Sequence, residues 1–167
     1  MKNQKDDIVV RTAVCGDLKS IVDLTEKEFR SASLDAKIED MIGGIPWIET
    51  KAAVLKTELE KNPDGCFVAV SGGEIVGYVT TVINAVASRG VIANLAVSSK
   101  VQGRGLGRKL IGRAVGYFRE QGLHQAKIET LETNQTGSHL YPSFGFREVV
   151  RQIHYIMPLG DQKNMAK

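Results

Sequence analysis

Six residues, Gln102-Gly103-Arg104-Gly105-Leu106-Gly107, constrain this chain more than any other feature. The stretch Gly90 to Val97 before them reads as a strand, and the residues after them read as a helix with Leu110, Ile111, Ala114, Val115 and Phe118 on one face. Gly122 closes that helix, and Ala126 to Leu131 reads as another strand. A strand, loop, helix and strand in that order make a crossover, which joins parallel strands. The glycines let the loop backbone turn tightly with its N–H groups inward and no Cβ in the way. The helix start adds the positive end of its dipole, so loop and helix together form a phosphate site.

The spacing excludes the two common nucleotide loops. A dinucleotide fingerprint requires G-x-G-x-x-G. Starting from Gly105 and Gly107 the third glycine falls on Leu110, and starting from Gly103 and Gly105 it falls on Arg108. No G-x-x-x-x-G-K-[ST] occurs.

Around the loop the chain divides into a helical first part and a strand-rich second part. Ile8 to Arg11 is a short β-like run. Asp17 is placed to cap a helix whose face holds Leu18, Ile21, Val22, Thr25 and Phe29. Ser33 caps a second helix carrying Leu34, Ile38, Met41 and Ile42, ended by Gly43-Gly44 and Pro46. A third helix fits 47–61, with Ile48, Ala52, Leu55 and Leu59 aligned. After the turn at Asn62-Pro63-Asp64-Gly65, Cys66 to Ser71 and Glu74 to Asn84 read as strands joined at Gly72-Gly73, and Gly90 to Val97 completes a meander. Residues 135–144 suggest a short helix, Phe146 to Met157 reads as extended chain, and 160–167 as a frayed polar tail. With no repeat or linker, this predicts one α/β (α+β) domain over 1–167, its core about 8–158, with a mixed, mostly antiparallel sheet flanked by helices.

Charge narrows the ligand class. The chain carries a net +3, yet residues 98–127 hold seven basic side chains against Glu120 alone. A basic patch on an otherwise mildly acidic chain points to an anionic ligand, not to nucleic acid, for which no recognition motif is present. No apolar run is long enough to span a membrane, and the charged start lacks a signal sequence. Cys15 and Cys66 have neither metal nor redox spacing and read as buried thiols of a reducing cytoplasm. No His, Cys and carboxylate cluster has ligand spacing, so no metal is expected.

Gln102 to Gly107 matches [Q/R]-x-x-G-x-[G/A], the pyrophosphate signature of the GNAT superfamily of acetyl-CoA-dependent N-acyltransferases, and the chain resembles that family. Asn94-Leu95-Ala96-Val97 resembles its splayed fourth strand. Asn134 followed by Leu140-Tyr141-Pro142-Ser143-Phe144-Gly145-Phe146 is similar to its N…LY-x-x-x-GF motif. The resemblance covers roughly residues 8–158. It implies that acetyl-CoA binds with its pyrophosphate on the N–H groups of Gly103, Arg104, Gly105, Gly107 and Arg108. It also implies that the pantetheine arm lies along Leu95, Ala96 and Val97, one of whose N–H groups polarises the thioester carbonyl. Asn134 would hydrogen-bond the pantetheine or adenosine end.

The implied reaction is direct attack of an amine on the thioester. An alkyl ammonium titrates near ~10.4 and must lose a proton, while the leaving thiolate, near ~8.5, benefits from gaining one. Tyr141 matches the family's general acid, the alternative being a ring that packs beneath the cofactor. Many members carry a fourth-strand Glu as base, but Ile92-Ala93-Asn94-Leu95 stands there. Glu129, five residues before Asn134, is similar in placement to the base of ribosomal-protein N-terminal acetyltransferases, with Glu132, His139 and His154 as further candidates. Asn94 would hold a water between base and amine.

The acceptor is written in the variable parts. Glu28, Asp35, Glu39 and Asp40 make the helical flank at 30–62 acid-rich, which suits a cationic amine but equally a solvated helix. Trp47 is a candidate pocket wall or core residue. The short stretch after the GF motif favours a small-molecule amine as substrate. A protein N-terminus or lysine is the second reading, and a non-catalytic acyl-CoA-binding module the third. Similar proteins are often homodimers.

Overall fold

The computed structural model describes residues 7–159. Five strands form one sheet in the order β1-β2-β3-β4-β5. They are β1 (Val9–Thr12), β2 (Phe67–Ser71), β3 (Glu74–Asn84), β4 (Arg89–Val97) and β5 (Gln125–Ile128). The first three pairings are antiparallel, and β4 with β5 is parallel, as the crossover requires. Gly72 and Gly73 both take positive φ at the β2–β3 turn, the conformation whose twist matches that of the flanking strands.

Three helices, α1 (Leu18–Glu28), α2 (Leu34–Ile42) and α3 (Trp47–Lys61), precede the sheet meander. The crossover helix α4 (Leu106–Glu120) and the later α5 (Gln135–Phe144) complete the fold. Two cores result, one on each face of the sheet. Leu110, Ile111, Ala114 and Phe118 of α4 pack on Phe67, Ala69, Val79 and Ile92. Ile21 and Leu24 of α1 and Leu55 and Leu59 of α3 pack on Cys66, Val68, Tyr78 and Ala96. Burying a side chain of this size contributes about 1.5–3 kcal/mol. The Tyr78 hydroxyl, fully buried, is paired with Thr25 Oγ1 at 2.8 Å, so the second core closes without stranding a polar atom there.

Ser33 caps α2 as its sequence position predicts, its hydroxyl accepting from the Ala36 N–H. Asp17 does not cap α1. Its carboxylate accepts instead from the Val14 N–H at 2.9 Å and from both terminal nitrogens of Arg11 at 2.7 and 2.8 Å, tying β1 to the start of α1. The bidentate guanidinium is the stronger partner, so the carboxylate turns away from the helix. Cys66 is buried, but Cys15 is exposed in the turn before α1 and corrects the expectation of two buried thiols. Trp47 is buried and does not line the cleft described below, so it belongs to the core. Among the described residues Phe146 to Met157 pairs with no strand, and Val149, Ile153 and Tyr155 are exposed. The polar tail at 160–167 lies outside the described residues. Among the described residues no helix is long and apolar enough to cross a membrane.

The Arg11 guanidinium beside Asp17 holds its carboxyl below the usual carboxylate value. A lowered native value adds stability above the unfolded value of about 3.9, and that stability is lost as pH falls through the native value. Asp17→Asn is therefore expected to lower stability at pH 7 by about 1 kcal/mol, partly exposed Arg11 limiting the effect. Urea midpoints of wild type and variant should converge as pH drops below about 4. A gap of equal size at pH 7 and pH 3 contradicts the assignment.

Candidate functional site

Strands β4 and β5 pair only from Arg89–Gln125 to Ile92–Ile128, and then part. From Ala93 to Val97, β4 is paired, among the described residues, with β3 alone. The pairing of β3 with β4 also slips here, Thr80 facing Asn94 and Thr81 facing Ile92, which leaves Ala93 as a bulge. A bulge reverses side-chain alternation and sharpens the local twist. Hence Ile92 packs on the α4 side while Asn94 turns, like Ala96, toward α1 and α3.

A cleft of about 570 Å³ opens where the strands separate. The main chain of β4 from Ile92 to Val97 forms one wall, and Ile128, Glu129 and Thr130 with α5 form the other. The glycine loop lies at one end, and Glu28 and Phe29 at the close of α1 flank it. Of the residues singled out in sequence, Asn94, Leu95, Ala96, Val97, Gln102, Gly103, Gly105, Leu106, Gly107, Arg108, Glu129, Asn134 and Tyr141 all line this one cleft. Arg104 is exposed and does not line it.

The loop is built as the glycine spacing requires. Gly103 and Gly105 sit at φ 77° and 75°, a region costly for residues with a Cβ, and Gly105 is the N-cap of α4. The first intrahelical bond runs from the Lys109 N–H to the Gly105 carbonyl, so the N–H groups of the preceding turn are free for an anion. Gln102 Nε2 donates to the Val97 carbonyl at 3.2 Å and ties the loop to the end of β4. The basic side chains contribute less than their number suggests. Arg108 donates to the carbonyl and hydroxyl of Ser143 and lies over the Phe144 ring. Lys109 donates to the Ile8 carbonyl, and Arg113 sits over Phe67 beside Glu120. An anion here would be met mainly by main-chain N–H groups. A ligand with a pyrophosphate and an extended amide-bearing arm fits this arrangement, the arm finding unpaired backbone along β4.

Tyr141 faces β4 across the cleft, its ring edge-on to Phe146. Burial pushes its phenol above the ordinary value, with Thr130 opposing, so it keeps its proton at neutral pH. Gly137, one turn earlier, is what lets the ring approach: a Cβ there would lie 2.8 Å from Tyr141 Cε2. Asn134 lines the cleft, but its side chain is engaged in the fold. Its Oδ1 accepts from the Gly137 N–H as the N-cap of α5, and its Nδ2 donates to Thr130.

Glu129 lies one residue beyond β5, because that strand stops at Ile128 where the pairing ends. It is exposed, pairs with Lys127 and borders the cleft. Glu132 pairs with Arg151, while His139 bonds the Gln135 carbonyl and, like His154, is exposed. None of these last three lines the cleft. Much of the acid-rich flank serves the fold. Glu28 accepts from the N–H and hydroxyl of Ser99, Arg30 bridges Glu39 and Asp40, and Glu39 also accepts from the Trp47 N–H.

One residue that sequence reasoning missed stands behind Asn94. Glu58, on α3, accepts from the Thr80 hydroxyl at 2.6 Å and from Asn94 Nδ2 at 2.7 Å. Nothing local marks it, since it is one of several acids on an amphipathic helix and its partners are 22 and 36 residues away. Among the described residues no group of His, Cys and carboxylates is placed to hold a metal.

The sequence profile of the acetyltransferase (GNAT) family matches residues 18–146. N-alpha-acetyltransferase 30 of Xenopus laevis is 33% identical over 98 residues, covering 57% of this chain and 36% of that protein. The [ribosomal protein bS18]-alanine N-acetyltransferase of Haemophilus influenzae is 28% identical over 96 residues, covering 57% of this chain and 64% of that one. The match thus spans less than two thirds of either relative. The crystal structure of PaiA N-acetyltransferase from Thermoplasma acidophilum in complex with coenzyme A superposes with a TM-score of 0.68 at 15% identity, covering 84% of this chain and 90% of that one. At that identity the likeness is one of fold. The splayed strands, the glycine loop opening α4 and the profile spanning both agree, and the chain belongs to the acetyltransferase (GNAT) family.

Proposed function

We propose that the protein transfers the acetyl group of acetyl-CoA to a primary amine of a small molecule, by direct attack of the amine on the thioester. The observation that carries this reading is the parting of β4 and β5 beside the glycine loop, with a protonated tyrosine on the opposite wall. Acetyl-CoA supplies an activated acyl group and a good leaving thiolate.

The chain's own residues divide the work. Main-chain N–H groups of Gly103, Arg104, Gly105, Gly107 and Arg108 take the pyrophosphate, and the unpaired edge at Leu95, Ala96 and Val97 takes the arm as an added strand. A β4 N–H donates to the carbonyl oxygen as negative charge develops on it. Tyr141 donates its proton to the departing sulfur. Glu129, at the rim, receives the proton of the amine, and Asn94 helps orient the nitrogen. Holding both reactants in one cleft supplies much of the acceleration.

A small acceptor suits a cleft of about 570 Å³ flanked on the α1 side by Glu28 and Phe29. Glu28 bonds Ser99 at 2.9 Å through both its N–H and its hydroxyl, fastening the end of α1 to the start of the loop and walling the cleft there. A protein N-terminus as acceptor is the second reading, supported by the relatives, one named for N-alpha-acetylation and the other for acetylation of an alanine of ribosomal protein bS18.

Titration calorimetry with acetyl-CoA is expected to show binding by the wild type and its loss in Gly105→Glu, which puts bulk and charge at a residue with φ 75°. Binding unaffected by that change removes the loop from the site. Thiol release measured with spermidine, glucosamine, lysine and a peptide with a free N-terminal alanine then separates the two acceptor readings.

Tyr141→Phe should reduce kcat by about 10²–10⁴ while leaving acetyl-CoA affinity within about twofold. The wild type should keep its proton donor at alkaline pH, because burial raises the phenol. Full activity of the variant across the pH range would return Tyr141 to a packing role.

A further inference from the structure

Asn94 is only 4% exposed, yet its carbonyl Oδ1 has no hydrogen-bond partner, the one buried side-chain N or O atom so placed among the described residues. Leaving a buried acceptor unpaired costs about 1–3 kcal/mol. The amide is not free to turn and relieve this. Its Nδ2 donates to Glu58 Oε2 at 2.7 Å and to Thr80 Oγ1 at 2.9 Å, and a flipped amide would set its oxygen against a carboxylate. Thr80 in turn donates to Glu58 Oε2 at 2.6 Å. Both bonds to Glu58 therefore fall on one oxygen, and Oε1 has no partner among the described residues.

The surroundings keep that carboxylate available. Lys51, the nearest cation on α3, forms no ion pair with Glu58 among the described residues and lies over the Phe29 ring at 4.7 Å. Its ammonium is lowered by burial, with Glu58 and Asp35 of α2 opposing. The other titratable groups facing Glu58 are Cys66 at the start of β2 and Tyr78 of β3. Burial pushes the Cys66 thiol up to about 11 and raises the Tyr78 phenol, so both are neutral at pH 7. Glu58 itself is raised by burial, while Thr80, Lys51 and Asn94 pull it back.

We infer that Glu58 and Asn94 form the subsite for the acceptor nitrogen, in which the unpaired Asn94 Oδ1 and the free Glu58 Oε1 receive hydrogens of an arriving primary ammonium. This rests on the acetyltransferase reading above and deepens it by naming the group that selects a cationic acceptor. A primary ammonium has three donors and no acceptor, which complements two acceptors of which one is charged. Asn94 sits at the bulge where β4 leaves β5, beside the main chain assigned to the thioester arm. A nitrogen held there lies at the junction of both reactants. Thr80 is the positioning residue: it fixes the rotamer of Glu58 and the direction of the Asn94 amide together.

The test is a steady-state comparison of wild type, Glu58→Gln and the isosteric Thr80→Val with the best amine of the panel above, alongside acetyl-CoA titration of each. Glu58→Gln is expected to raise KM for the amine at least tenfold with acetyl-CoA affinity unchanged. Glu58→Asp should recover part of that loss. Thr80→Val removes a donor that favours the ionised carboxylate, so the acid limb of kcat/KM for the amine should move to higher pH. A merely structural role would not move that limb. Should Glu58→Gln fail to fold, Thr80→Val decides alone. The inference is overturned if both variants keep the wild-type amine KM and pH profile, or if they lose acetyl-CoA binding together with amine binding. If wild type binds acetyl-CoA but acetylates no amine, the acetyltransferase reading falls first and the inference with it, an outcome distinct from the other two.

Discussion

Main-chain hydrogen bonds within a sheet are obligatory, and β4 leaves a run of them unpaired on one side. From Ala93 to Val97 the strand has β3 as its only strand neighbour among the described residues, because β5 ends at Ile128 and the chain turns into α5. Such an edge inside a fold is tolerated only where something completes it. The rest of the structure is arranged around that requirement. The α4 helix, packed beneath the sheet, holds β4 and the start of β5 parallel and brings the glycine loop to the point of divergence. The α5 helix, capped by Asn134, carries Tyr141 across from the open backbone.

The opposite face of the sheet solves a second problem, the placement of polar atoms near an apolar core. One side of β4 changes character at the Ala93 bulge, from Ile92 against α4 to Asn94 against α3. Below that point the layer between sheet and α1–α3 is apolar, apart from the paired Thr25 and Tyr78. Above it, Thr80, Asn94 and Glu58 form a network in which, among the described residues, Asn94 Oδ1 is the one buried atom without a partner and Glu58 Oε1 accepts no bond. A purely structural network in a protein interior closes on itself. The two open acceptors occur together and next to the strand divergence, which a packing requirement alone does not explain.

Much of this was legible in the chain. Period-3.6 apolar spacing placed the five helices, and β-branched runs bounded by turn residues placed the five strands, even though β1 and β5 are mostly exposed. The glycine loop was legible because φ near +75° demands glycine whatever the surroundings. What escaped was set by distant partners. Asp17 occupies a capping position, but Arg11 offers its carboxylate two charge-assisted bonds and takes it away. The strand predicted to reach Leu131 stops at Ile128, since only tertiary splaying ends it. Glu58 was invisible for the same reason: the bulge that turns Asn94 toward it depends on the register of two other strands. Phe146 to Met157 reads as extended chain, yet among the described residues it has no strand partner.

The fate of the charges ties these observations together. The segment 98–127 looked like an electrostatic trap for an anion, with seven cations to one acid. In the fold Arg108, Lys109 and Arg113 are engaged with Ser143, Ile8, Phe67 and Glu120, and Arg104 stands outside the cleft. The acids of the flank are likewise drawn into Ser99, Arg30 and Trp47. Beyond these, the glycine loop offers main-chain N–H groups to the cleft, while Asn94, which lines it, is backed on the α3 side of β4 by the Glu58 carboxylate. The two ends therefore differ in sign by fixed, preorganised groups and not by mobile surface charge. Fixed dipoles need no reorganisation when an anionic cofactor and a cationic acceptor meet between them, and they are less sensitive to salt than exposed ion pairs.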